Sequence, residues 1–228
     1  MVMSKQIPVI EQILSANDRL AEQNRQKLDS LGVYSINIMA SPGAGKTALI
    51  EQTVPRLAGK LRIAVIEGDL ATSIDAERAT AAGAVSVQIN TGGNCHLEAQ
   101  MVRDALEQLP LHDIDLLIVE NVGNLVCPAG WALGTHHNVL VASVPEGDDK
   151  PYKYPATYRG VDTLVINKID LLPYVRFNME RFRQGVAILS PGLTTFPVSC
   201  VTGEGLPAWL EWLEHTIATF RQDLSNAK

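Results

Sequence analysis

The stretch ASPGAGKT, Ala40–Thr47, separates an apolar run at 33–40 from a segment with helical spacing. Gly43 and Gly45 allow the backbone to curl so that successive N–H groups point inward at an anion. The helix that follows would present the positive end of its dipole to the same anion. A strand, this loop and a helix in that order predict a phosphate-binding loop. The usual first glycine is Ala40 here, and we expect the turn to tolerate its methyl group provided that φ stays negative.

Each polar side chain of this loop has an expected task. Lys46 would reach the β- and γ-phosphates of a nucleoside triphosphate, and the Thr47 hydroxyl would bind Mg²⁺. A glycine-rich turn without a ligand is the alternative, and Gly-Lys-Thr in register after an apolar strand argues against it. The loop residues expected to contact the nucleotide are Pro42, Gly43, Ala44, Gly45, Lys46, Thr47 and Ala48.

Short apolar runs alternate with helical stretches over the rest of the chain. The predicted strands are 33–40, 61–69, 85–91, 114–121, 137–144, 161–168 and 194–200. The predicted helices are 47–60, 73–83, 95–109, 177–189 and 206–224. Most of these strands are apolar on both faces, which suits strands covered by helices on either side. The sequence therefore predicts an α/β fold: a three-layer P-loop NTPase domain at 32–228, with a mostly parallel central sheet flanked by helices.

Residues 1–31 precede this pattern and form a predicted N-terminal helical arm, packed on or next to the domain. Apolar side chains recur there at roughly helical spacing, while the middle of the segment is polar. Two interpretations stay open. The arm is either a helix lying on the domain or a docking element for a partner protein.

The composition argues against several kinds of partner and cellular location for this chain. The chain has 228 residues, a net charge of -6 and no apolar run long enough for a transmembrane helix. We therefore expect neither nucleic acid nor a membrane as partner. The first residues lack the basic, apolar and small-residue order of a secretion signal, and three widely spaced cysteines are no disulfide framework. These features favour a cytoplasmic protein.

The sequence INKID, 166–170, follows another apolar run and predicts a guanine site. The Asp170 carboxylate can accept hydrogen bonds from the ring N1–H and the exocyclic amine, which adenine cannot donate in that arrangement. Asn167 would brace the loop, and the stem of Lys168 would lie over the base. Because a wrong base would leave the carboxylate desolvated and unpaired, we expect GTP and GDP and not ATP. A later loop would approach the base from the other side with the backbone of Ser199, Cys200 and Val201.

Two acidic strand ends lie between these motifs. The segment EGDLATSID offers Asp69 and Asp75, and IVENVGN offers Glu120 and Gly123. The N–H of Gly123 would meet the γ-phosphate, whereas Asp75 has the alternative role of a helix cap. No glutamine or arginine finger is evident, so we expect slow intrinsic hydrolysis. The expected ligands or water holders of Mg²⁺ are Thr47, Asp69, Asp75 and Glu120. The residues expected to act in hydrolysis are Lys46, Asp69, Asp75, Glu120 and Gly123.

Cys95-His96 and Cys127 follow two different predicted strands and suggest a second kind of site. Cysteine and histidine together suit Zn²⁺ or Ni²⁺. We expect Cys95 at or just before a helix N-terminus, where the dipole favours the metal-binding thiolate. Three ligands leave a tetrahedron open, so a second subunit would complete the site; buried, inert thiols are the alternative. Because Cys127 follows Gly123 closely, hydrolysis would change metal affinity.

Taken in order, ASPGAGKT, EGD, TGGNCHLE, ENVGNLVCPA, NKID and SCVTGEG resemble the motifs of the HypB family, the hydrogenase nickel-incorporation GTPases. The resemblance covers about residues 30–220. It implies a homodimeric P-loop GTPase of the signal-recognition-particle-like (SIMIBI) class that helps to load nickel into NiFe-hydrogenase. The implied cofactors are GTP/GDP, Mg²⁺ and Ni²⁺ or Zn²⁺, with Cys95, His96 and Cys127 as a metal site at the dimer interface. The implied partners are the nickel chaperone HypA, consistent with the N-terminal arm, and the hydrogenase large-subunit precursor.

The chain departs from that family in two respects. The usual first glycine of the phosphate loop is Ala40, and the first 94 residues contain neither cysteine nor histidine, where many members carry nickel-binding motifs. We therefore expect a partner to deliver the nickel. A urease-type nickel GTPase is an alternative, but Ala129 follows Cys127-Pro128 where that class has histidine. A regulatory GTP-binding module with structural cysteines is another alternative, and an ATP-dependent kinase is opposed by the guanine motif. His136 and His137 are further possible metal donors, but they more simply begin a strand.

Overall fold

The computed structural model describes residues 9–69 and 74–226, with side chains from residue 13 onward except at 70–76. Its strands are β1 Tyr34–Ala40, β2 Ile63–Asp69, β3 Val85–Asn90, β4 Leu116–Glu120, β5 His137–Ser143, β6 Thr163–Asn167 and β7 Thr194–Pro197. They form one sheet in the order β3-β2-β4-β1-β5-β6-β7, and every described pairing is parallel. The predicted α/β class and parallel sheet are thereby confirmed.

Helices cover both faces of the sheet. In the described ranges they are α1 Val9–Leu31, α2 Lys46–Leu57, α3 Ile74–Ala81, α4 Ala99–Leu106, α5 Lys150–Lys153, α6 Pro155–Arg159, α7 Met179–Leu189 and α8 Leu206–Asn226. The short helices α5 and α6 were not predicted, because a single turn is too short to show helical periodicity. None of the helices in the described part of the chain is long and apolar enough to cross a membrane.

The side chains of β1 show how the three layers are held together. Ile36 and Ile38 pack on one face with α2 and α8, in a cluster that includes the fully buried Trp209. Met39 points to the other face, into a cluster with α6 and α7. A third cluster joins β2 and β4 to α1 and α4 on that second face. Because successive side chains of a strand point to opposite faces, a strand buried on both sides is mostly apolar. The polar exceptions in β1, Ser35 and Asn37, are buried with hydrogen-bonded side chains.

The first helix is part of this packing. Leu28 of α1 is buried at 1% exposure in the cluster shared with α4. Asn17 accepts a hydrogen bond from Ala99 N at 2.9 Å and donates to Ala132 O at 2.8 Å. Asn24 donates to Ala99 O at 2.9 Å and to Leu133 O at 3.0 Å. The helix therefore bridges the start of α4 and the segment 132–133 through buried amide side chains. Residues 1–8 of the predicted arm lie outside the described residues.

The helix expected to begin at Cys95 begins at Ala99 instead. The preceding N–H groups are bound elsewhere, since Leu97 N donates to the side chain of Asn121 at 3.1 Å. Glu98 is extended and precedes the first helical turn without capping it through its side chain. The prediction that the helix dipole acts on Cys95 is therefore wrong, because the dipole falls off within the first turn.

Candidate functional site

The carboxyl ends of β1, β2, β4 and β6 meet at one edge of the sheet and enclose a cleft of about 440 Å³. Ligands of open parallel sheets bind at this edge, where loops leave the strands. Of the predicted site residues, the cleft is lined by Pro42, Gly43, Gly45, Lys46, Thr47, Ala48, Asp69, Glu120, Gly123 and Lys168. Ala44 is buried behind them. The structure thus brings together residues that are far apart in the sequence.

The loop between β1 and α2 depends on glycine at Gly45. Its φ is 105°, in the left-handed region, and a Cβ there would lie 2.3 Å from Asn167 Nδ2. Ala40 is the last residue of β1 and fully buried, and Lys168 is the one non-glycine residue with positive φ in the described ranges. The condition set for Ala40 is therefore met, and its methyl group is accommodated in the core.

Lys46, Thr47 and Glu120 form the polar floor of the cleft. The Thr47 hydroxyl donates to Glu120 Oε1 at 2.8 Å, and Lys46 Nζ lies 3.9 Å from the same oxygen. Lys46 and Glu120 are 9% and 3% exposed. The buried Glu120 carboxylate holds the Lys46 ammonium and the Thr47 hydroxyl at the floor of the cleft. At this place the ammonium would meet the phosphates of a nucleotide, and the hydroxyl would meet Mg²⁺.

Three further predicted residues surround this floor. Asp69 ends β2 and lines the cleft. Gly123 forms its wall, because a Cβ there would lie 3.4 Å from Pro42 Cα and 3.5 Å from Lys46 Nζ. Asp75 belongs to the first turn of α3, but its side chain lies outside the described residues. Its predicted roles therefore stay predictions.

The guanine motif is bound to the phosphate loop. Asn167 Nδ2 donates to Ala44 O at 3.0 Å, and its Oδ1 accepts from Lys168 N at 2.8 Å and from Cys200 N at 3.3 Å. Lys168 takes a left-handed conformation with φ 64°, and its Nζ donates to Gly43 O at 2.6 Å. One buried amide thus fixes three loops around the cleft.

Asp170 has an unsatisfied oxygen in this loop. Its Oδ1 is buried and has no hydrogen-bond partner among the described residues. A buried carboxylate oxygen without a donor is costly unless a ligand supplies one, which fits the two donors of guanine. Opposite, Ser199 Oγ accepts from Thr202 N at 3.1 Å and from Val201 N at 3.3 Å, so Ser199 shapes its own loop. Val201 is 85% exposed at its tip, whereas burial raises the pKa of Cys200 to about 11.

The two predicted thiol ligands meet. A hydrogen bond with the Cys127 thiol is the main cause that raises the pKa of Cys95 above its ordinary value. Cys95 Sγ also lies 3.7 Å from His96 Nδ1. Among the described residues, no three His, Cys, Asp or Glu side chains converge as a complete metal site. The chain thus offers a pair of thiols and one imidazole, an incomplete donor set for a soft cation such as nickel or zinc.

The imidazole of His96 is enclosed by two residues that the sequence analysis did not single out. Its ring stacks on Trp131 with centroids 4.4 Å apart and an interplanar angle of 27°. Its Nε2 is buried without a hydrogen-bond partner in the described structure, 3.8 Å from Glu98 Oε1. Burial lowers the pKa of His96, which the charge of Glu98 partly opposes. The lowered pKa favours the neutral ring, the form that binds metal.

Two asparagines connect the thiol segments to the nucleotide cleft. Asn121 lines the cleft and is fully buried; its Oδ1 accepts from Leu97 N at 3.1 Å, next to His96 in the chain. Asn124 Oδ1 accepts from Val126 N at 2.8 Å and from Cys127 N at 3.4 Å. The motif ENVGN contains both residues, but only the fold reveals which backbone groups they hold.

Arg78 is a cleft residue that the sequence analysis did not predict. Arg78 of α3 lines the cleft and donates to Glu51 of α2 through Nε at 2.7 Å and Nη2 at 2.6 Å. No local sequence pattern indicates this pair.

His136 and His137 lie at the amino end of β5, where Nε2 of His136 is 2.8 Å from Asp29 Oδ1 and Nε2 of His137 is 2.9 Å from Thr163 Oγ1. They are at the opposite end of the sheet from the thiols.

Comparison with known proteins gives a consistent result. The family model CobW/HypB/UreG, nucleotide-binding domain, matches residues 34–197. The hydrogenase maturation factor HypB of Escherichia coli strain K12 is 46% identical over 202 residues, which are 89% of this chain and 70% of the relative. A probable hydrogenase maturation factor HypB of Methanocaldococcus jannaschii is 42% identical over 211 residues, which are 92% of this chain and 96% of the relative.

A solved structure agrees with these relatives. The crystal structure of HypB from Helicobacter pylori in complex with nickel superposes with a TM-score of 0.86 at 36% sequence identity. The match covers 90% of this chain and 96% of that chain. The layered arrangement of a parallel sheet between helices is therefore common to both.

Proposed function

Because the chain belongs to the HypB family of hydrogenase maturation factors, within the CobW/HypB/UreG nucleotide-binding proteins, we propose that it hydrolyses GTP to control delivery of nickel to a hydrogenase precursor. The observation that carries this proposal is the place of Gly123. It forms the wall of the nucleotide cleft beside Lys46, and the segment that leaves it ends at Cys127. A change at the phosphates would therefore reach a metal ligand within a few residues.

Each of the cleft residues has a different proposed role in the hydrolysis. In the reaction, water attacks the γ-phosphorus, the bond to the β–γ bridging oxygen breaks, and GDP and phosphate leave. Lys46 would neutralise charge on the transferring group, and the N–H of Gly123 would donate to one of its oxygens. Asp69 or Asp75 would orient the water. Arg78 is engaged by Glu51, which supports slow turnover because no other arginine in the described ranges lines the cleft.

A magnesium ion fits the donors at the floor of the cleft. The Thr47 hydroxyl and the Glu120 carboxylate already lie within hydrogen-bond distance, and Asp69 offers another carboxylate at the end of β2. Hard oxygen donors of this kind are what Mg²⁺ prefers. When bound, the ion would neutralise charge on the β- and γ-phosphates. Thr47, Glu120 and Asp69, with Asp75, are the residues proposed to hold it.

The base is proposed to be guanine. The buried Asp170 Oδ1 without a donor in the described residues supports this, since N1–H and the exocyclic amine of guanine would satisfy the carboxylate. Lys168 and Asn167 hold the loop against the phosphate loop and would keep the base in register with the phosphates. Ser199, Cys200 and Val201 would contact the base through their backbone.

Nickel is proposed to bind at Cys95, His96 and Cys127, and zinc is the competing ion. The adjacent thiols of Cys95 and Cys127 and the neutral imidazole of His96 support this donor set. Because the set is incomplete within one chain, a second copy would supply the remaining ligands in a homodimer. The proposed partners are HypA, docked on the N-terminal arm, and the large-subunit precursor of the hydrogenase.

The deciding experiment is a Ni²⁺ titration of wild type and Cys95→Ala, each with GDP and with a non-hydrolysable GTP analogue. We expect wild-type affinity to change at least several-fold between the two nucleotides and Cys95→Ala to lose the binding in both. Binding that is indifferent to Cys95 would refute the metal role. Binding that needs Cys95 but ignores the nucleotide would refute gating and leave a metal-binding nucleotide hydrolase.

A further inference from the structure

The ring of His96 packs flat against the indole of Trp131. Trp131 covers one face of the imidazole, with ring centroids 4.4 Å apart, and the side chain is 14% exposed. Flat aromatic packing of this kind fixes the plane of a ring and resists its rotation. Within that plane, Nδ1 is turned toward Cys95 and Nε2 toward Glu98. The two nitrogens therefore have different neighbours and different uses.

The Nδ1 side has the spacing of a metal site. Cys95 Sγ and His96 Nδ1 are 3.7 Å apart. Two ligands of one tetrahedral ion, with bonds of about 2.3 Å to sulfur and about 2.0–2.1 Å to nitrogen, lie about 3.6 Å apart. The distance between the two atoms is therefore compatible with both binding one ion. The Cys127 thiol lies close enough to Cys95 to raise the pKa of the Cys95 thiol.

The Nε2 side has the arrangement of a supporting hydrogen bond. Nε2 is buried without a partner in the described structure, and the nearest acidic oxygen is Glu98 Oε1 at 3.8 Å. Glu98 does not cap α4 through its side chain. A histidine that binds metal through one nitrogen commonly donates the other N–H to a carboxylate, which fixes the tautomer and strengthens the ligand. A small movement of Glu98 would complete such a bond.

We propose that His96 binds its metal through Nδ1, with Trp131 holding the plane of the ring and Glu98 accepting a hydrogen bond from Nε2–H. Trp131 and Glu98 are positioning residues, since neither touches the ion. The inference rests on the proposed metal function and deepens it by naming the ligand atom. It also accounts for the buried Nε2, which has no hydrogen-bond partner among the described residues.

The ligand atom can be read directly in wild-type protein. Long-range ¹H–¹⁵N correlation spectra of ¹⁵N-labelled protein loaded with Zn²⁺, a diamagnetic probe, distinguish a protonated ring nitrogen from a metal-bound one. The His96 signals are assigned by their absence in His96→Ala. We expect a protonated Nε2 and a metal-bound Nδ1. A His96 ring that binds zinc through Nε2 would overturn the inference.

The positioning roles are tested with paired variants and Zn²⁺ affinity, measured against a chromophoric chelator. Trp131→Ala removes the flat face, whereas Trp131→Phe keeps it; Glu98→Ala removes the acceptor, whereas Glu98→Gln keeps an acceptor oxygen. We expect the alanine variants to bind about 10–100-fold more weakly and the conservative variants to stay within a few-fold of wild type. Thermal unfolding of the metal-free variants checks the fold. Wild-type affinity in both alanine variants would overturn the roles of Trp131 and Glu98.

Cys95→Ala separates this inference from the function on which it rests. If Cys95→Ala loses zinc but wild-type His96 binds through Nε2, only the assignment of the ligand atom falls. If Cys95→Ala keeps wild-type zinc affinity, the metal site itself falls, and the proposed nickel function falls with it.

Discussion

Gly45 is the residue at which the phosphate loop and the guanine loop touch. A side chain there would have to adopt φ 105° and would meet Asn167 Nδ2 at 2.3 Å. Gly45→Ala should therefore push Asn167 away from Ala44 O and loosen both loops. Gly43→Ala is the matched control, because Gly43 also has positive φ but no atom within 4 Å of its Cβ position.

We expect Gly45→Ala to weaken GDP binding at least tenfold more than Gly43→Ala. Left-handed backbone strain costs about 1–3 kcal/mol in either variant, so their difference isolates the collision with Asn167. Isothermal titration of the two variants with GDP measures it. Equal affinities would show that the Asn167–Ala44 bond does not hold the nucleotide site together.

His136 makes the stability of the fold depend on pH. Burial lowers its pKa to about 4, an effect that the hydrogen bond to Asp29 opposes and that Arg25 and His137 reinforce. Its neutral ring accepts from Ser35 N at 3.0 Å and faces Asp29 at 2.8 Å. The unfolded chain, with a histidine pKa of about 6.5, binds the proton more readily.

The contribution of His136 is therefore fully present above about pH 6.5 and is lost as the pH falls toward 4. Since one pKa unit corresponds to about 1.4 kcal/mol, we expect a loss on the order of 3 kcal/mol across this window. Urea unfolding of wild type and His136→Gln at several pH values measures it, with His215→Gln, at an exposed position, as control. A His136→Gln curve parallel to wild type would contradict the expectation.

At the scale of elements, α1 is hydrogen bonded to residues that follow each of the two segments with proposed metal ligands. The side-chain amide of Asn24 donates both to Ala99 O, at the start of α4, and to Leu133 O, six residues after Cys127. Asn24→Ala leaves both buried carbonyl oxygens without this donor, which should cost about 1–3 kcal/mol. Gln26→Ala is the control, since Gln26 bonds only the exposed Glu22 within the same helix in the described structure.

We expect Asn24→Ala to lower the midpoint of urea unfolding and to speed amide hydrogen exchange at residues 95–99 and 131–135. Exchange measured by mass spectrometry would resolve both segments. Faster exchange throughout the chain, with no excess in these two segments, would show that α1 supports the domain generally and does not hold the metal segments in particular.

At the scale of the whole molecule, the proposed metal site has two thiols and one imidazole from the described residues of one chain, so metal binding and association should be linked. We expect Ni²⁺ to shift the protein from monomer to dimer in sedimentation velocity, and Cys127→Ala to abolish the shift. Mutation of the exposed Tyr174 to alanine is the control. A nickel-saturated wild type that stays monomeric would contradict the proposal that a second copy completes the site.

The sequence predicts some features of this molecule much better than others. The strands are readable because burial on both faces favours apolar runs, as in Leu116 to Val119, and each motif follows a mostly apolar run. The start of α4 was misplaced because the N–H of Leu97 is bound by Asn121, which is distant in the sequence. The sequence analysis missed Trp131 and Glu98 for the same reason. Their contacts with His96 exist only because the Trp131 ring packs on the imidazole from a loop that is distant in the sequence.

The hydrogen bond between Asn167 and Ala44 joins residues separated by 123 positions. During synthesis at about 5–20 residues per second, the phosphate loop is made some 6–25 seconds before the strand that braces it. A nascent chain therefore exposes its glycine-rich turn without the support that gives it a fixed shape. The phosphate loop can therefore take its braced shape only after Asn167 has been made, late in synthesis.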